Sequence, residues 1–175
     1  MRQKLTNGTI LTPFRAIKNG TVVIENGRIL GVHEGSTEVP DATEIDAKGQ
    51  YIAPGFIDIH VHGGGGFDFM DGTEEAFLKI AELHAQYGTT SLVPTTLTAE
   101  KEDLLQTLDV YENANRQNTK GANLLGIHLE GPYFALSQRG AQDPRYIRNP
   151  DPAEYEEILT HSSSIVRWSA APELE

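Results

Sequence analysis

The segment IDIHVHGGGG, Ile57 to Gly66, places two histidines one residue apart at the end of an apolar run and follows them with four glycines. On a strand, residues i and i+2 face the same side, so His60 and His62 present two imidazoles together. Imidazole nitrogens are ligands for zinc, iron and related divalent ions. The plainer alternative has one histidine hydrogen-bonded in a core and the other in a loop. Gly63 to Gly66 either let the backbone turn sharply and approach a ligand closely or provide a flexible connection. A second segment, GIHLEGP, sets Glu130 just before Gly131-Pro132, where a strand must stop. At the same rim as the histidine pair, that carboxylate is the third donor a metal needs. His128 shares the face of Glu130 one layer deeper and reads as a buried, hydrogen-bonded support, with direct ligation the alternative. Asp58 lies below His60 and His62 and could accept an N–H from an interior partner in the same supporting role.

Other polar residues have plainer readings. His84 falls on the apolar face of a helix and is expected to pack, while His33 and His161 are expected at the surface. Asp68 and Asp71 mark entry into a helix. Arg139, Gln142 and Arg145, in SQRGAQDPR, sit in a long loop after the third strand. They could meet an anionic or hydroxyl-rich ligand, although a solvated loop is the default for such residues.

The elements that must position these groups follow from patterning. Residues 1–53 alternate short β-prone pieces with turn signals, and Asn26-Gly27 favours the tight turn of a hairpin. A small antiparallel sheet is expected there. From Phe56 onward, apolar strand candidates begin near residues 56, 89, 123 and 164, each interval being bridged by a helical pattern. The first helix runs from about Thr73 to Tyr87, capped by Thr73, with Glu74 and Glu75 in its first turn and Phe77, Ile80, Ala81, His84 and Ala85 on one face. The second spans about Ala99 to Asn115, capped by Thr98, and buries Leu104, Leu105, Leu108 and Tyr111. A shorter one after Pro152 presents Tyr155, Ile158 and Leu159. Strand, helix, strand at a steady interval means parallel strands with crossover helices. No G-x-G-x-x-G follows a strand, so a dinucleotide-binding open sheet is disfavoured against a (β/α)8 barrel. A whole barrel takes about 250 residues. Residues 54–175 therefore read as three βα units and a fourth strand, the first half of a TIM-type barrel.

Composition narrows the function. With no cysteine in 175 residues, any metal must use His, Asp, Glu or water. A formal charge of −11 repels phosphate backbones and anionic membranes, so neither nucleic acid nor a membrane is an expected partner. No apolar run reaches the roughly 20 residues of a membrane span, and the start MRQKLTNGTI lacks a signal-peptide core. A soluble, cytoplasmic protein is expected.

Taken together, APGFIDIHVHGGGGFDFMD, the PTT that ends the second strand, GIHLEGPYF and RGAQDP resemble the amidohydrolase superfamily, and within it the N-acetylglucosamine-6-phosphate deacetylases. PGFIDIHVH marks the superfamily; HGGGGFDFMD with HLEGPY and RGAQDP marks the deacetylase branch. The resemblance implies a metal-dependent hydrolase fold, with residues 1–53 forming part of a composite β-sandwich. It also implies hydrolysis of the N-acetyl group of an amino-sugar phosphate to give the amine and acetate. The implied cofactor is zinc or iron, one or two ions, held by Glu130 with His60 and His62. Gln142 occupies a position where some members place a histidine near the sugar, which makes it a candidate substrate contact. Two later histidine ligands, the phosphate grip and the catalytic aspartate match no residue here, so the chain alone is expected to be inactive. A full-length member is expected to be a homodimer. The alternatives are another amidase of the superfamily, such as a dipeptidase or cyclic-amide hydrolase, and a non-catalytic half-barrel that assembles through open strand edges.

Overall fold

The computed structural model describes residues 1–174, which fall into two compact units divided after Pro54. In the first, β1 (Arg2–Leu11) and β2 (Ala16–Glu25) form an antiparallel hairpin, and β3 (Arg28–His33) pairs antiparallel with β2. Asn26 and Gly27, at φ 50° and 78°, make the tight turn between β2 and β3, as expected of a dipeptide that tolerates left-handed backbone at both positions. However, β4 (Thr43–Asp46) and β5 (Tyr51–Ile52) run parallel to β1. The sheet is therefore mixed, in order β3-β2-β1-β4 with β5 also on β1, rather than the antiparallel sheet expected. The cause is a connection that a local turn pattern does not reveal. Residues 34–42 carry the chain back past both hairpin strands, and Thr43 enters beside Gln3 on the free side of β1. Ile10, Ile17 and Val22 form a small buried cluster, against which Leu5, Ile24 and Ile52 pack.

In the second unit, β6 (Phe56–Val61) leads through a short hairpin, β7 (Gly63–Gly64) and β8 (Phe67–Asp68), into α1 (Glu74–Gln86) and β9 (Thr89–Pro94). Helix α2 (Lys101–Gln117) follows, then β10 (Asn123–Leu124), β11 (Ile127–Glu130), α3 (Pro152–His161) and β12 (Ile165–Ser169). β6, β9 and β10 are parallel neighbours, as are β11 and β12. A parallel bridge between Thr95 and His128 joins the end of β9 to β11. Parallel strands thus follow one another in chain order, with α1 between β6 and β9, α2 between β9 and β10, and α3 between β11 and β12, while β10 and β11 are joined directly through Leu125-Gly126.

Local chemistry explains the elements and corrects several boundaries. Thr73 caps α1, its hydroxyl accepting the Ala76 N–H at 3.2 Å, and Phe77, Ile80 and Ala81 are buried on the expected face. Thr98 does not cap α2; Glu100 stands at the N-cap position without a side-chain cap bond, and the helix begins at Lys101. Thr98 lies two residues before the Glu100 N-cap position, and its hydroxyl is buried with no hydrogen-bond partner, so it reaches none of the free N–H groups of the first turn. Leu104, Leu108 and Tyr111 are buried as expected, while Leu105 is only partly so. In α3, Ile158 reaches the core, whereas Leu159, the next residue around the helix, is 50% exposed. The run NLLGIHLEG is not one strand. Gly126, at φ 132°, separates β10 from β11, and a Cβ there would lie 2.3 Å from Val166 Cγ1. That approach admits only glycine. The core gathers Phe69, Phe77, Ile80, Leu92, Leu104, Leu108, Leu129 and Ile158, all fully buried. Each side chain of this size contributes about 1.5–3 kcal/mol of transfer free energy.

Candidate metal centre

Three residues at the C-terminal ends of parallel strands converge: His60 in β6, His62 just past it, and Glu130 as the last residue of β11. Their donor atoms lie within 4.8 Å of one another. His60 Nε2 and His62 Nε2 are 3.3 Å apart. His60 Nε2 lies 3.4 Å from Glu130 Oε1, and His62 Nε2 lies 3.2 Å from Glu130 Oε2. Two donors about 2.0–2.1 Å from a tetrahedral metal are about 3.3 Å apart, so these separations suit a small divalent cation.

The hydrogen bonds behind the cluster sharpen that fit. His62 Nδ1 lies 3.2 Å from the main-chain oxygen of Thr95. A carbonyl only accepts, so Nδ1 carries the proton, and in the neutral ring Nε2 is a bare lone pair. That lone pair faces a carboxylate oxygen and a second imidazole. Acceptor against acceptor at 3.2 Å is repulsive unless the ring is protonated or a cation lies between them, and a donor set of two imidazoles and a carboxylate suits zinc or iron(II).

Residues beneath the cluster fix its parts. Thr95 Oγ1 accepts the Val61 N–H at 3.1 Å and donates to Val93 O at 3.2 Å. It also lies 3.3 Å from His128 Nδ1. The other ring nitrogen of His128 is 2.7 Å from Ser169 Oγ. His128 is fully buried, its ring edge-on to that of His60 with centroids 4.9 Å apart. Burial foremost, then the Arg167 guanidinium and the two neighbouring histidines, pushes its pKa down to about 4. It is therefore neutral at neutral pH and adds no positive charge beneath the cluster. Thr96 Oγ1 accepts the Glu130 N–H at 3.2 Å. Asp58 Oδ1 accepts the main-chain N–H of His60 at 3.0 Å, so its contact is with the strand itself. Gln142 is buried, its amide lying between Thr98 and Glu130.

The glycines shape the rim. A Cβ on Gly63 would fall 2.2 Å from Phe67 O, so the β7–β8 hairpin closes only without one. The fold-back lets the Phe69 N–H reach His62 O at 2.9 Å while the Phe69 ring fills the core.

The remaining polar residues stand apart from the cluster. Asp68 and Asp71 form a capping box on a short helical turn, Phe69–Asp71. His84 Nε2 is 3.4 Å from Gly63 O, and His161 Nε2 is 2.9 Å from Asp109 Oδ1. His33 is exposed. Arg145 is bound by Asp143, whose carboxyl that guanidinium holds down at about 2, and Arg139 donates to the main-chain oxygen of Gln142 at 2.7 Å. Thr95, Thr96 and Ser169 were not singled out from the sequence. The only signal was the hydroxyl pair closing the PTT motif at the end of the second strand.

Residues 51–173 match the amidohydrolase family, and the chain belongs to that family, whose members are metal-dependent. Within it, the chain is 35% identical to the N-acetylglucosamine-6-phosphate deacetylase of Bacillus subtilis, over 94% of this chain and 43% of that protein. It is 37% identical to the N-acetylgalactosamine-6-phosphate deacetylase of Escherichia coli O157:H7, over 76% of this chain and 35% of that protein. Among solved structures, a mutant N-acetyl-D-glucosamine-6-phosphate deacetylase of Mycobacterium smegmatis, bound to N-acetyl-D-glucosamine-6-phosphate, superposes with a TM-score of 0.85 at 31% identity. That match covers 99% of this chain and 44% of the other. The chain thus spans less than half the length of these relatives. Among the described residues, no helix is long and apolar enough to cross a membrane.

Proposed function

We propose that this chain supplies the first metal ligands of an amino-sugar-phosphate deacetylase, which hydrolyses the N-acetyl group of N-acetylglucosamine 6-phosphate to glucosamine 6-phosphate and acetate. The observation that carries this reading is the convergence of His60, His62 and Glu130 at one strand-end rim, together with 35% identity to a deacetylase along most of the chain. Residues 54–175 are read as the first half of a (β/α)8 barrel, because parallel strands succeed one another in chain order with a crossover helix after β6, β9 and β11. Residues 1–53 are read as part of a β-sandwich.

His60, His62 and Glu130 would hold zinc or iron(II), as one ion or a pair. When bound, such an ion supplies Lewis acidity, making water a nucleophile near neutral pH and drawing electron density from an amide carbonyl. The chain's own residues do the positioning. Thr95 O fixes the tautomer of His62, and Thr96 Oγ1 holds the main chain of Glu130. The carboxylate offsets the charge of the cation, and neutral His128 avoids opposing it. In the overall reaction, water adds to the carbonyl carbon, the C–N bond breaks, and the departing nitrogen takes up a proton. Groups for that proton transfer and for gripping the phosphate are assigned to none of these residues, so the 175-residue chain by itself is proposed to be inactive.

The test is acetate release from N-acetylglucosamine 6-phosphate by the protein expressed in its complete reading frame and loaded with zinc or iron. N-acetylgalactosamine 6-phosphate runs beside it as the competing epimer, and a dipeptide and a cyclic amide as the substrates of the alternative amidases. Turnover of the glucosamine derivative and its loss on Glu130→Gln are expected. Turnover of only the dipeptide or the cyclic amide would overturn the assignment.

A further inference from the structure

Gln142 lies on the loop after β11, yet it is only 8% exposed and both ends of its amide are engaged by protein. Thr98 presents a main-chain N–H, which only donates, 2.8 Å from the amide oxygen, and this fixes the orientation of the amide without ambiguity. The nitrogen then faces Glu130, donating to Oε2 at 3.1 Å. The main chain of Gln142 is tied as well, its oxygen accepting from Arg139 at 2.7 Å and its N–H bonding to Arg139 O at 3.1 Å. One side chain therefore bridges the loop after β9 and the carboxylate that ends β11.

From this geometry we propose that Gln142 is a positioning residue for the metal centre. It acts on Glu130 and not on substrate. A glutamate side chain left free loses rotamer entropy when it takes up a ligand geometry. Gln142 meets that cost in advance by holding Oε2, while Oε1 points toward His60 at 3.4 Å. With its oxygen on Thr98 and one N–H on Glu130, the amide has little left to offer a sugar hydroxyl. The inference rests on Glu130 being a metal ligand.

The test uses the purified chain with zinc alone as the probe, its affinity read by competition with a chromogenic chelator, alongside the visible spectrum of the cobalt(II)-loaded chain. Gln142→Met keeps the length and removes both hydrogen bonds. Gln142→Asn keeps the amide but is one methylene too short to span both partners. Loss of an outer partner of a ligand typically costs 10–100-fold in metal affinity, so Q142M is expected to bind zinc about 10–100-fold more weakly and to show a shifted cobalt spectrum. The metal-free protein should still melt cooperatively. Q142N is expected to lose affinity in the same direction, and it decides the matter if Q142M does not fold. Wild-type zinc affinity and an unshifted cobalt spectrum in a folded variant would overturn the proposal, even where Glu130→Gln abolishes binding. Absence of zinc binding by the wild-type chain, or binding untouched by Glu130→Gln, would overturn the reading of Glu130 as a ligand and this proposal with it.

Discussion

The main-chain oxygen of Thr95 lies 3.2 Å from Nδ1 of His62, and this contact determines what the far side of the ring can do. It holds the proton on Nδ1 and aims a lone pair from Nε2 at Glu130 and His60. A histidine in this state is preset as a ligand, the arrangement by which a partner behind the ring orients and tunes it. Because the contact comes from main chain, substitution at position 95 would leave it in place while removing the hydroxyl beneath.

Removal of a donor should abolish tight metal binding. His60→Ala and His62→Ala each take away one donor of three, Glu130→Gln replaces the anionic donor with a neutral amide, and each is expected to weaken zinc binding by more than the roughly 10–100-fold that outer partners cost. Isothermal titration of each metal-free variant with zinc checks this. Full affinity in any one of them would exclude that residue from the site.

Thr95→Val separates support from ligation. The valine keeps the shape but leaves the Val61 N–H without its partner and His128 Nδ1 without a hydroxyl. Burying a donor with no acceptor costs about 1–3 kcal/mol, so urea unfolding of the metal-free chain should shift by that amount. Equal stability would show that the hydroxyl is replaceable, for instance by water.

Tyr111 should make the fold sensitive to alkali. Its hydroxyl donates to Leu124 O at 3.2 Å, and burial first, then the Glu112 carboxylate, pushes its pKa up to about 12 from 10.0. The folded state thus retains the proton more strongly than the unfolded chain. The stability so gained is complete below pH 10 and drains away as pH rises toward 12. Tyr111→Phe is expected to lose about 0.5–1.5 kcal/mol at neutral pH with its hydrogen bond. Urea midpoints above pH 10 should then fall less steeply than in wild type, though not flatly, because burial raises Tyr133 to about 12 as well. Identical slopes in the two proteins would contradict this.

The convergence of His60, His62 and Glu130 could be read from the sequence because its signal is local. Two histidines at strand spacing share a face by backbone geometry alone, and Gly131-Pro132 marks the strand end where Glu130 sits. The helix faces around Phe77 and Leu104 follow from the 3.6-residue period in the same way. What escaped depends on register between distant segments. The Thr98–Gln142 bond spans 44 residues, and the start of α2 at Lys101, two residues later than a Thr98 cap would put it, belongs to the same tertiary packing. The hydroxyls of Thr95, Thr96 and Ser169 meet His128 and Glu130 only once three strands are aligned. The parallel pairing of β4 with β1 and the break at Gly126 likewise depend on where other strands lie.

A crystal of the chain grown with zinc, with diffraction recorded on both sides of the zinc absorption edge, tests the metal centre most directly. An anomalous peak is expected between His60 Nε2, His62 Nε2 and Glu130, with Zn–N and Zn–O distances of about 2.0–2.2 Å. Zinc bound elsewhere on the chain, with no peak among these three residues, would contradict it.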